Sequence, residues 1–134
     1  MATVKLVKSV YTGSDITALG EVNPSSDTID DDYTWTGSQR GSITTDNDGS
    51  FDMDAANNFK CTPTANFTLT FTNITGGQSG FVLLVNSGGY TVTAASTSKV
   101  DASALSTIST AGTYLLSYFS DGTNVYLTYS AAYS

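Results

Sequence analysis

Histidine is absent from the chain. That removes the Ser-His-Asp and Cys-His arrangements of nucleophilic catalysis, together with the commonest zinc ligand. Cysteine occurs once, as Cys61, so no internal disulfide forms and the fold does not depend on an oxidising compartment. Five basic residues stand against twelve acidic ones, for a net charge of −7. A nucleic-acid partner requires a Lys/Arg stripe that this balance does not supply. Charged residues of both signs make up only 13% of the chain, against about 25% in ordinary soluble domains. Long apolar runs are missing as well. Phe81 to Val85 is far below the ~20 residues of a membrane-spanning helix. Behind Lys5 and Lys8 there is no apolar stretch of the ~7 to 15 residues found in a secretion signal. The expectation is one soluble domain made in a cytoplasm, long enough at 134 residues to bury a core unaided. No cofactor and no nucleic-acid or membrane partner is expected.

What the chain does have is period-2 patterning. Phe67, Leu69 and Phe71 fall on one side of a pleat and Thr68, Thr70 and Thr72 on the other, the mark of a half-buried strand. Similar patterns predict strands at 33–36, 42–45, 50–54, 58–61, 66–73, 80–86, 90–95, 113–120 and 124–130, and no segment carries a helical period. Phe81 to Val85 is apolar on both faces, which predicts a central strand. Asn47-Asp48-Gly49, Ser87-Gly88-Gly89 and Asp121-Gly122 supply the positive-φ positions of tight turns and predict three hairpins. Gly76-Gly77 predicts a short connection between antiparallel neighbours. The fold class expected is all-β: an antiparallel β-sandwich, jelly-roll-like, over residues 21–134, preceded by a short N-terminal arm over residues 1–20. The stretch at 23–32 is rich in turn formers and like charges and reads as a loop.

Candidate chemistry is sparse. Asp46, Asp48, Asp52 and Asp54 cluster around one predicted turn and are of the residue type used in glycoside hydrolysis. Solvated aspartates that initiate and flank a turn account for the same spacing. Thr44 to Gly49 resembles the middle of a calcium loop, but its twelfth position is Ala55 where a bidentate carboxylate is needed, so no metal site is assigned. Asn66-Phe67-Thr68 and Asn73-Ile74-Thr75 match the glycosylation pattern by chance in a chain without a secretion signal. Trp35, near Tyr33, has the character of a sugar platform or of an ordinary core or interface residue. Tyr126, Tyr129 and Tyr133 either line a subunit contact or close the core.

Several stretches together resemble the β-rich structural proteins of tailed bacteriophages, particularly marine and cyanobacterial ones. They are Gly41 to Asp52, Asn57 to Pro63, Leu69 to Ile74, Gly77-Gln78-Ser79-Gly80 and Tyr118 to Tyr126. The resemblance covers about residues 37–130 and includes no catalytic residue. It implies a virion part made in the host bacterial cytoplasm: a head decoration (cement) protein that binds and stabilises the outside of the capsid. Its implied partners are the major capsid protein and itself, as a homotrimer. Val4, Lys5, Leu6, Val7 and Lys8 of the arm are the capsid-contact candidates. The alternative implied is a tail-fibre or receptor-binding module, with Tyr33 and Trp35 as glycan-contact candidates.

Overall fold

The computed structural model describes residues 7–12, 15–21, 38 and 40–133. The chain divides into two compact units, Met1–Ser38 and Gln39–Ser134. In the first, β1 (Val7–Thr12) and β2 (Asp15–Glu21) pair antiparallel, with Val7 opposite Glu21 and Thr12 opposite Asp15. The expected strand at 33–36 and loop at 23–32 lie outside the described residues.

The second unit is all-β apart from one short helix. Its strands are β3 (Ile43–Thr45), β4 (Ser50–Asp52), β5 (Asn58–Cys61), β6 (Phe67–Thr72), β7 (Ser79–Asn86), β8 (Val92–Ala94), β9 (Ser98–Lys99), β10 (Gly112–Ser120) and β11 (Val125–Tyr129). The helix, α1 (Ala102–Ile108), lies between β9 and β10. Two sheets form: a six-stranded one in the order β3-β5-β7-β10-β11-β9, and a three-stranded one in the order β4-β6-β8. From β3 to β8 the chain alternates between them, so each sheet takes every second strand. Consecutive members of one sheet then run the same way. β3, β5 and β7 are parallel, as are β4, β6 and β8. Only at β10 does the large sheet turn antiparallel, on β7 and then β11.

This corrects the antiparallel jelly-roll expectation. Of the three predicted hairpins, only the one at Asp121-Gly122 joins paired neighbours, β10 and β11. The turns at 47–49 and 87–89 carry the chain from one sheet to the other, as does Gly76-Gly77 between β6 and β7. The turn chemistry itself is as read: Gly49, Gly89 and Gly122 all take positive φ. A tight turn delivers the next strand either beside its predecessor or across the core, and a positive-φ glycine serves both. Gly49 illustrates the second use. At φ 86° it swings the chain over the core, and a Cβ there would lie 2.3 Å from the Phe67 ring.

The two sheets face each other across one core. Phe51 and Phe71 on the small sheet meet Phe59 and Tyr118 on the large one. The ring centroids lie 5.1 Å apart for Phe51–Phe59 and for Phe71–Tyr118, 5.3 Å for Phe51–Phe71 and 6.4 Å for Phe59–Tyr118. All are tilted and within the range in which aromatic pairs attract beyond simple burial. Leu69, Val82, Leu84, Leu116 and Val125 complete the dry interior.

Helix α1 corrects the expectation of no helix. At seven residues it is too short to display a period, but its ends are specified locally. Asp101 is the N-cap, accepting from the Ser103 N–H, and Ala104 and Ile108, four apart, form its buried stripe. The helix is fastened to the sheets by two polar contacts. Ser109 Oγ accepts from the Val92 N–H at 2.9 Å, and buried Asn86 donates through Nδ2 to Ile108 O at 2.9 Å.

Candidate functional site

Strand alternation gives each sheet one face toward the core and one away from it, and the two outward faces differ in chemistry. On the small sheet the outward positions are Ser50 and Asp52 on β4, Thr68, Thr70 and Thr72 on β6, and Thr93 on β8. The register places Ser50 beside Thr70, Asp52 beside Thr72 and Thr68 beside Thr93. The hydroxyls of Thr68 and Thr93 hydrogen-bond at 2.8 Å. This face is hydroxylic and wettable.

The outward face of the large sheet carries large apolar side chains interleaved with polar ones, among them Asn58, Lys60, Ser79, Ser117 and Thr128. Ile43 on β3, Phe81 and Leu83 on β7, Leu115 and Phe119 on β10 and Tyr126 on β11 all point away from the core. Tyr133 joins them through a bridge to Thr113. The exposures are 69% for Ile43, 49% for Phe81, 52% for Phe119, 48% for Tyr126 and 55% for Tyr133. Phe119 lies directly opposite Tyr126, and Leu83 opposite Leu115. A groove of about 360 Å³ runs between β3, β5 and β7, lined by Ile43, Asn58, Lys60, Phe81, Leu83 and Leu115 among others. Strands β7, β10 and β11 contain no charged residue. Lys60 on β5 and Lys99 on β9 flank them. Scattered exposed apolar side chains are ordinary, whereas several large aromatic ones gathered on one sheet face are not.

The aspartate cluster is spent on turns. Asp46 Oδ1 accepts from the Asp48 N–H at 3.1 Å, Asp48 Oδ1 from the Ser50 N–H at 2.9 Å, and Asp52 Oδ1 from the Asp54 N–H at 3.0 Å and from Asn73 Nδ2 at 2.8 Å. Partial burial raises the pKa of Asp46, with its neighbour Asp48 adding to the effect, while hydrogen bonds from the Asp46 side chain and the Ser50 N–H lower that of Asp48. Buried Cys61 lies near them. Desolvation, then the charges of Asp46 and Asp48, push its thiol up to about 12. A thiol held neutral in this way is a packing residue rather than a nucleophile. Among the described residues no group of three or more acidic, Cys or His side chains is placed to hold a metal ion, and no helix is long and apolar enough to cross a membrane.

Of the candidates read from the sequence, Val4, Lys5, Leu6, Tyr33 and Trp35 lie outside the described residues. Val7 and Lys8 are in β1, paired with Glu21 and Gly20. The residues that sequence reasoning missed are Ile43, Leu83, Leu115 and Phe119. A signal exists for Leu83 alone, in the run Phe81 to Val85 that is apolar on both faces and predicts a central strand. The strand is central in the sheet order, yet Phe81 and Leu83 on its outer side stay exposed. Compared with known protein families, curated proteins and solved structures, the chain shows no match, so the apolar face is interpreted from its own geometry.

Proposed function

We propose that this protein is a structural part of a tailed-bacteriophage particle, a head decoration protein that binds the outer surface of the capsid and stabilises it. One observation carries the assembly role: the same alternation that gives the small sheet a hydroxylic outer face exposes large aromatic and aliphatic side chains on the uncharged strands β7, β10 and β11 of the large sheet. A free-standing soluble module has no use for that asymmetry, whereas a protein that seats itself on others does. The assignment to a phage particle comes from the sequence resemblance, which covers head decoration proteins and tail-fibre modules alike. In this reading the partners are the major capsid protein and further copies of the chain as a homotrimer, and binding proceeds by several weak contacts made together. The finer reading of the fold is a short β-solenoid, three coils of alternating strands closed at one end by α1, β10 and β11.

Cosedimentation with capsids assembled without the protein tests the reading. Saturable binding in a fixed ratio to capsid subunits, with a shell that resists heating better, is the expected result. Absence of binding overturns it and leaves the fibre-module reading. That second reading draws support from the coil geometry, since parallel coils stack end to end and the first coil, β3 and β4, has its free edges unpaired among the described residues. Binding of host glycans by the protein, lost on Trp35→Ala, is what the fibre reading requires.

A further inference from the structure

We propose that the outward face of the six-stranded sheet is buried against the same face of further copies of this chain. This rests on the assembly role proposed above and names the surface that performs the self-association half of it. Three features select a copy of the chain as the occupant.

The first is area. Phe81, Phe119, Tyr126 and Tyr133 each leave about half of the side chain exposed. At ~150 to 250 Å² per aromatic side chain, the four present roughly 400 Å². Ile43 and Leu83 bring the apolar total to roughly 600 Å². A standard stable interface takes about 800 Å² from each partner, of which about 56 to 65% is apolar. The face therefore carries about as much apolar surface as one side of such an interface.

The second feature is charge. With a net charge of −7, two copies repel unless the surfaces that meet are free of the acidic excess. Asp46, Asp48, Asp52, Asp54 and Asp101 all lie off this face, on the turns, on β4 and at the start of α1. Asp121, at the tip of the β10–β11 turn, accepts from the Tyr126 hydroxyl at 3.0 Å. The centre of the face, on β7, β10 and β11, is uncharged. Lys60 and Lys99 stand on the strands that flank it, and the Lys99 ammonium donates to Ser96 O at 2.6 Å.

The third feature is composition. The centre gathers aromatic and aliphatic side chains around the mutually bonded hydroxyls of Ser117 and Thr128, with the lysines on the strands to either side, a distribution closer to protein interfaces than to sugar sites. A sugar platform pairs each ring with convergent hydrogen-bonding groups. Here such groups are few: Asn58 stands in register beside Phe81, and Ser79 beside Phe119. The nearby hydroxyls of Ser117 and Thr128 are bonded to each other at 2.7 Å. Two such faces meeting across a two-fold axis, or three turned toward a three-fold axis, use the same residues.

The experiment is sedimentation velocity on the purified full chain from about 1 to 100 µM, in the absence of any capsid. The expected result is a closed oligomer whose mass is a small multiple of 14.0 kDa. Phe81→Ser and Phe119→Ser should each weaken it at least about thirtyfold, as removal of a central aromatic anchor does. Ile43→Lys, at the most exposed site and so the least able to disturb folding, should weaken it in the same sense. Thr72→Lys on the hydroxylic face should leave it unchanged. A wild-type monomer at 100 µM, or an oligomer indifferent to all three substitutions on the apolar face, overturns the proposal. Because no capsid is present, failure here is separable from failure of the capsid-binding reading: a monomer that still saturates capsids sinks only the self-contact.

Discussion

The side chain of Asn86 joins three parts of the folded unit: β7, the crossing toward β8 and the end of α1. It is fully buried at the end of β7, and each side-chain group that can hydrogen-bond is used. Nδ2 donates to Tyr90 O at 2.8 Å and to Ile108 O at 2.9 Å, and Oδ1 accepts from the Tyr90 N–H at 2.8 Å. One side chain thereby shapes the crossing from β7 toward β8 and satisfies a carbonyl in the last turn of α1, where no intrahelical donor remains. Asn86→Ala leaves Ile108 O without its donor in a buried place, at about 1 to 3 kcal/mol. It also breaks two part-buried bonds to Tyr90, at about 0.5 to 1.5 kcal/mol each. The central expectation is a loss of about 3 to 4 kcal/mol. For a chain of this size that corresponds to a fall in Tm of about 10 to 20 °C.

Differential scanning calorimetry on the purified protein measures the loss directly, with two variants setting its scale. Asn66→Ala removes a single bond, from the Thr91 N–H to Asn66 Oδ1 at 2.8 Å at an exposed site, and should cost about 1 kcal/mol or less. Asn86→Asp keeps the acceptor for Tyr90 N–H but aims carboxylate oxygen at two carbonyls. It should be worse than alanine at neutral pH and recover part of the loss as the pH falls and the carboxyl protonates. A drop below about 5 °C for Asn86→Ala, or equality with Asn66→Ala, would refute the view that this residue ties helix and sheets together.

Gly80→Ala places a Cβ 1.7 Å from Asn57 O, a backbone atom that is also held by the Tyr118 hydroxyl at 2.9 Å and the Phe81 N–H at 3.2 Å. Moving the loop aside breaks both bonds, and chemical denaturation should show a loss of about 3 kcal/mol or more. Cys61, with its thiol pushed up to about 12, should resist maleimide at pH 8 for as long as the protein is folded and react within minutes in denaturant; rapid labelling of the native protein would contradict its placement in the core. Asp101 and Asp121 both have pKa values held below 3.8, Asp101 chiefly by the Ser103 side chain and Asp121 chiefly by the Asn124 and Thr123 N–H groups. The unfolded chain takes up those protons first as the pH drops. The carboxylates' contribution is therefore complete above the unfolded value and is lost as the pH falls from about 4 through the lower folded values. Asp101→Asn with Asp121→Asn, which keeps an acceptor at each turn but removes the charge, should flatten the Tm-against-pH curve in that window. A slope unchanged from wild type would show that other carboxylates set it.

Eight strands from β3 onward stand where the alternation and the turn residues placed them, within a few residues, because half-burial imprints a period of two whatever the partner strand. The pairing is what alternation does not encode. Phe67, Leu69 and Phe71 point inward equally well in an antiparallel sandwich and in a sheet that receives every second strand. The turns do not separate the two cases either, since Gly49 and Gly122 adopt similar φ values, 86° and 93°, although one leads across the core and the other back along the same sheet. The helix was illegible for another reason. Its specification is an N-cap, a stripe of Ala104 and Ile108, and tertiary bonds from Asn86 and Ser109 that exist only once β7 and β8 are in place.

The apolar face shows the same limit from the other side. In a chain read alone, Phe81, Val82, Leu83, Leu84 and Val85 announce a strand covered on both sides, and that inference is physically sound, since an exposed pair such as Phe81 and Leu83 loses hydrophobic free energy that burial would supply. What the sequence does not state is whether the second cover comes from within the unit. The fold answers for one face only: Val82 and Leu84 are sealed by the small sheet, while Phe81 and Leu83 stay open. The small sheet, built on the same alternation, carries mostly hydroxyl residues at its outward positions, whereas β7 and β10 set Phe81, Leu83, Leu115 and Phe119 among Ser79, Thr113 and Ser117. In the self-association proposed above, a second copy of the chain supplies the layer that Phe81 and Leu83 lack within the unit.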